Sequence, residues 1–158
     1  MGGRGMKHLY VMISILFFGA TLLLTGCFEK PVKYTGGGKL DSVECGEEAN
    51  VGFVYNGCKI PAMVNFVYQD RAADVKMKGG EIVDEISSDT IKVTYTSMNK
   101  DNPGDGVVKI TLGDWGEGNE PHGFVKIKVL SGPFDDYENW SIVTGNVQKH
   151  ACNEECDD

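Results

Sequence analysis

Between residues 51 and 143 the sequence is a series of short runs in which apolar and polar residues alternate, separated by Gly, Asn, Asp and Pro. The clearest are Ile91-Lys92-Val93-Thr94-Tyr95-Thr96, Val108-Lys109-Ile110-Thr111-Leu112 and Val125-Lys126-Ile127-Lys128-Val129. A period of two sends successive side chains to opposite faces of a strand, one toward a core and one toward water. No stretch carries helical periodicity. The pattern therefore leaves little room for anything but antiparallel β-structure.

Further strands are predicted around these three. Residues 51–55 and 58–64 flank Asn56-Gly57, both of which tolerate the positive φ of a tight hairpin. Pro61 lacks an amide hydrogen and marks an edge or a bulge in the second of these strands. Residues 64–68 continue as a strand, residues 73–77 and 81–83 flank Gly79-Gly80 as a second hairpin, and residues 140–143 add a last strand. About eight strands joined by glycine-rich loops imply an all-β fold, a small antiparallel barrel or sandwich stabilised by disulfides. The lysines at 92, 109, 126 and 128 fall on its solvent face. A chain of 158 residues fits one such domain.

The N-terminus has a different character. Residues 9–24 are apolar and uncharged, Arg4 and Lys7 precede them, and Thr25 and Gly26 follow. A basic start, a short apolar centre and a small-residue exit form an export signal, and the run is shorter than the roughly 20 residues of a spanning helix. The exit, Leu24-Thr25-Gly26-Cys27, resembles the lipobox of bacterial lipoproteins. That resemblance implies cleavage after residue 26 and lipidation of Cys27. With Phe28 next, it implies outer-membrane sorting in a Gram-negative cell. Residues 27–39 contain Pro31 and three consecutive glycines and are expected to be a flexible tether, leaving residues 40–158 as the single β-domain. Removing residues 1–26 takes away two positive charges and no acid, moving the formal charge from −8 to −10. That balance disfavours nucleic acid and anionic lipid and favours a basic protein as partner.

Assigning Cys27 to lipid leaves Cys45, Cys58, Cys152 and Cys156. An even number in an exported chain points to two disulfides, with three possible connectivities. The spacing Cys152-Asn-Glu-Glu-Cys156 is not that of a zinc knuckle, so no metal is expected. Crossed pairings tie the C-terminal segment to the first strands, and Cys45–Cys152 with Cys58–Cys156 is the expected one. It requires the chain to fold back at Gly46-Glu47-Glu48, because Cys152 and Cys156 lie at most about 14 Å apart.

Motifs of nucleophilic, nucleotide-binding and metalloprotease chemistry are missing, and no cofactor is implied. Asp114, Glu117 and Glu120 share a loop with Trp115 and His122, an arrangement that suits acid/base work on a glycan. The recognition reading uses the same loop, through Trp115, Glu117, Glu120 and His122, together with Phe134, Tyr137 and Trp140 of a second aromatic and acidic loop. Aromatic anchors bordered by charge suit a protein contact.

The mature domain is similar to the membrane-bound inhibitors of c-type lysozyme. The residues concerned are Val43-Glu44-Cys45, Val64-Asn65-Phe66-Val67-Tyr68, Trp115-Gly116-Glu117-Gly118-Asn119-Glu120 and Cys152. The resemblance implies an eight-stranded barrel, a disulfide from the first strand to the C-terminus, and inhibition without catalysis. The family's Ser-Gly-Ala-Arg-Tyr loop has no counterpart, and Glu117 stands where the family has lysine. The expected function is that of a lipid-anchored, non-enzymatic envelope protein that binds a macromolecule, with inhibition of a basic hydrolase such as lysozyme as the specific expectation. A glycan-acting enzyme and a structural envelope component are the alternatives.

Overall fold

The computed structural model describes residues 30–114 and 123–152. These form one antiparallel sheet of nine strands, curled into a nearly closed barrel. The strands are β1 (Val32–Asp41), β2 (Glu48–Asn56), β3 (Met63–Asp70), β4 (Val75–Ser87), β5 (Thr90–Ser97), β6 (Asp105–Asp114), β7 (Gly123–Ser131), β8 (Glu138–Ile142) and β9 (Thr144–Ala151). Each of β1 to β8 pairs with its sequence neighbour, and β9 returns to pair with β1.

Closure depends on Val143. β8 pairs with β7 and β9 pairs with β1, and only Val143 separates them. Val143 is fully buried and its amide donates to the Gly123 carbonyl at 2.9 Å. The two short strands thus act as one closing strand that changes partner midway. Where β8 meets β1, side chains bridge the gap: Asn139 Nδ2 donates to the Asp41 carbonyl at 2.9 Å, and Ser141 Oγ contacts Asp41 Oδ2 at 3.3 Å.

The period of two decides what fills the barrel. Ile91, Val93 and Tyr95 of β5, Val108, Ile110 and Leu112 of β6, and Val125, Ile127 and Val129 of β7 all point inward and are buried. Tyr34, Tyr55, Phe53, Phe66, Tyr68 and Met77 complete a continuous core. A barrel of this strand number has an interior that side chains can fill. The lysines at 92, 109, 126 and 128 lie outside, as their alternation requires.

Four expectations need correction. Residues 32–39 are not a tether: they form β1, paired on one edge with β2 and on the other with β9. The three glycines are required there, because a Cβ on Gly36 would come within 2.1 Å of the Asn146 carbonyl and one on Gly37 within 2.6 Å of the Val51 carbonyl. Asn56-Gly57 does not close a two-residue hairpin. β2 ends at Asn56 and β3 begins only at Met63, with Pro61 in the connection after a cis peptide bond. Gly79-Gly80 is not a turn either, since β4 runs through it as one long strand with irregular pairing to β5.

The fourth correction concerns the disulfides. Cys58 is bonded to Cys152, with Cα atoms 5.4 Å apart, so Cys152 is not paired with Cys45 and Cys58 is not paired with Cys156. The reason is the extension of β2. Cys45 precedes β2 and Cys58 follows it, so the nine residues of β2 place them at opposite ends of the barrel. The chain does turn back at residues 42–47, between the antiparallel β1 and β2, but that turn leaves Cys45 at the end of β2 away from Cys58. Cys45 is exposed and unbonded among the described residues. Cys156 and the lipidation candidate Cys27 lie outside them.

Candidate functional site

The expected contact residues divide sharply. Trp115, Glu117, Glu120 and His122 lie outside the described residues. Asp114, at the end of β6, accepts a hydrogen bond from the Lys149 amide at 2.8 Å. In the loop between β7 and β8, Phe134 is turned inward and stacks on Tyr95, with ring centroids 6.0 Å apart. Tyr137 also points inward, its ring 6.0 Å from that of Tyr68. Packing accounts for both side chains. Trp140 alone of the three is exposed, at 57%, beside Phe124.

The tyrosine pair belongs to a buried polar network that plugs one end of the barrel. Asp70 has no solvent-accessible surface. Its carboxylate accepts hydrogen bonds from Tyr137 Oη and Ser42 Oγ, each at 2.8 Å, and from the amides of Ala73 and Val43. Burial alone would raise its pKa, but these donors hold it below the usual carboxylate value. Because Tyr137 gives its proton to Asp70, the 2.6 Å contact between the two tyrosine oxygens is donated by Tyr68. Asn139 Nδ2 in turn donates to Tyr68 at 2.7 Å. Burial pushes the Tyr68 hydroxyl up to about 12. Every polar group here is satisfied, which is how a buried carboxylate is tolerated. The network fixes the loops after β1, β3 and β7 and presents no open substrate position.

On the outer face, cross-strand register aligns Lys92, Lys109 and Lys128 on adjacent strands. Acids border the row: Lys92 bonds Asp84 at 3.2 Å, and Lys126 and Lys128 hold Glu138 at 2.6 and 3.0 Å. Those two lysines lower the Glu138 carboxyl to about 2.

One concave feature of the outer surface is a seam that sequence reasoning missed. β3 and β4 are paired from Phe66↔Gly79 to Asp70↔Val75, and the ladder stops there. Met63, Val64 and Asn65 on β3 remain paired to β2 alone, and β4 beyond Gly79 pairs with β5 alone. The separation begins at the glycine pair. A Cβ on Gly79 would come within 2.9 Å of the Phe66 Cβ, and a register shift follows between Gly79 and Ile82. Such an irregularity bends the strand away from its neighbour.

The groove left between the two strands encloses about 740 Å³ and is lined by residues 61–64 and 80–85. That lies within the range of about 300–1,000 Å³ typical of ligand clefts. Ala62, Val64 and Ile82 form a half-buried apolar floor packed on the core. Ile60, Met63, Val83 and Ile86 are exposed around it, Ile60 completely. Three carboxylates, Glu81, Asp84 and Glu85, share the lining. Glu85 accepts a hydrogen bond at 2.8 Å from Tyr55, whose burial and acidic partner raise its pKa. The signal in the sequence was present: Ile82-Val83-Asp84-Glu85-Ile86 does not alternate as a strand paired and packed on both edges would.

No group of three or more metal-ligating side chains occurs among the described residues. Comparisons with protein families, curated proteins and solved structures give no match.

Proposed function

We propose that this chain is a lipid-anchored protein of the bacterial envelope whose barrel is a non-catalytic binding module for a basic protein. The observation that carries the reading is the seam. The interior is filled by its own side chains, so recognition falls to the outer surface, where the seam offers a groove combining exposed apolar residues with carboxylates. Exposed apolar groups rimmed by polar ones are what protein contacts use. The formal charge of −8, or −10 after loss of residues 1–26, steers a cationic partner toward the barrel. A basic hydrolase such as a c-type lysozyme is the partner class to examine first, since the sequence resemblance points there.

The test uses the full chain purified in detergent and immobilised, with a c-type lysozyme and an acidic protein of similar size in solution. Retention of the basic protein at low ionic strength and its release at high salt are expected. Equal retention of both proteins, or of neither, overturns the reading. The anchor is tested separately by intact mass, in which Cys27 carries acyl chains and Cys27→Ser leaves the chain unlipidated.

A further inference from the structure

The two sides of the seam are strand edges. Residues 63–65 of β3 and residues 80–87 of β4 each have one ladder, to β2 and to β5, and among the described residues nothing pairs with their facing edges. Unpaired edges are a template for another strand. Proteins usually blunt them, and here the irregular pairing of β4 and the carboxylates Glu81 and Asp84 discourage indiscriminate pairing. They do not cover the edge. Around it stand Met63, Val83 and Ile86, each about half exposed, where an edge kept only from aggregation would carry polar side chains.

We propose that the seam takes up one extended segment of its partner as an added strand along residues 80–87 of β4. An added strand gains main-chain hydrogen bonds from the edge and specificity from alternate side chains. One set of those side chains covers Val64 and Ile82 and is therefore apolar. The other set meets Glu81 and Asp84, of which only Asp84 has a lysine beside it among the described residues, and is therefore cationic. The segment is thus an alternation of apolar and basic residues supplied by a basic protein. This rests on the binding-module reading and specifies how that module recognises its partner.

The experiment uses the full chain in detergent and a short synthetic peptide alternating valine and lysine. Hydrogen exchange at residues 80–87 is expected to slow when the peptide is bound. Two N-methylated versions, each blocking the amides of one edge of the peptide, should differ: one binds like the parent, the other at least about tenfold more weakly. A peptide alternating valine and glutamate is expected not to bind. Met63→Lys and Val83→Lys, at exposed positions that leave the core intact, should each weaken the valine–lysine peptide by about tenfold. Binding without slowed exchange at residues 80–87, or equal binding by both methylated peptides, overturns strand addition. Capture of lysozyme with no exchange change at the seam refutes this mode while leaving the binding-module reading standing. Slowed exchange with the peptide but no captured basic protein does the reverse.

Discussion

Tyr137 donates its hydroxyl proton to Asp70 Oδ2 at 2.8 Å, joining the loop after β7 to the end of β3 across 67 residues of sequence. Tyr137→Phe leaves the ring in place and removes one donor from a fully buried carboxylate. A loss of about 1–3 kcal/mol in unfolding free energy is expected, read from chemical denaturation, with no change in the far-ultraviolet dichroism.

The same carboxylate makes stability depend on pH. Its pKa in the folded chain is held below the ordinary value of 3.8. Its contribution is therefore complete above that value and is lost as the pH falls below it, through the lower folded value. Between neutral pH and about pH 5 the group is ionised in both states and adds no slope. Asp70→Asn should be less stable at pH 7 and should lose less stability than the parent chain below pH 4. Parallel acid profiles for the two proteins would refute the assignment.

The Cys58–Cys152 bridge closes a span of 94 residues. Its removal by Cys58→Ser is expected to cost about 2–5 kcal/mol, because the unfolded chain regains the freedom that the cross-link denied it. Thermal unfolding with and without reductant checks this. The variant should be insensitive to reductant, and the parent chain should fall to the variant's midpoint.

Cys45 gives the opposite expectation. It lies in the exposed loop between β1 and β2, about 30 Å along β1 from the bridge at a rise of about 3.3 Å per residue. Cys45 should react with a maleimide in the folded, unreduced protein, and Cys45→Ser should leave the unfolding midpoint unchanged.

Substituting Gly37 by Ala tests the tight passage of β1. A Cβ there meets the Val51 carbonyl at 2.6 Å, and backbone cannot swing aside as a flexible side chain can. The expected cost is about 1–3 kcal/mol. Gly52→Ala, where a Cβ would meet nothing within 4 Å, is the matched control on the neighbouring strand.

The strands from Thr90 to Ser131 were legible because their alternation is uninterrupted and both neighbours are close in sequence. β1 was not, since glycine and proline ordinarily signal a linker, and only contact with β2 on one edge and with β9, more than a hundred residues later, on the other makes three glycines a requirement. Gly79-Gly80 failed for a related reason: the same freedom that allows a reversal allows a bend, and only tertiary pairing decides. The inward turn of Phe134 and Tyr137 was equally hidden, because an aromatic loop reads alike whether it faces a partner or caps its own barrel. The seam is a property of pairing between strands, which a single strand's pattern records only as broken alternation at residues 82–86.

The bridge also has a mechanical consequence. β1 lies between β2 and β9, and the Gly57 amide donates to the Val32 carbonyl at 3.0 Å where the strand begins. Cys58 follows β2 and Cys152 follows β9, so the disulfide spans the mouth through which the chain enters β1. Tension applied ahead of Val32 runs along the strand axis, and two ladders of hydrogen bonds bear it side by side instead of opening one after another. The flanking strands cannot spread apart at that point, because a covalent clasp holds them. Traction on the N-terminal segment therefore meets the fold at the place best arranged to resist it.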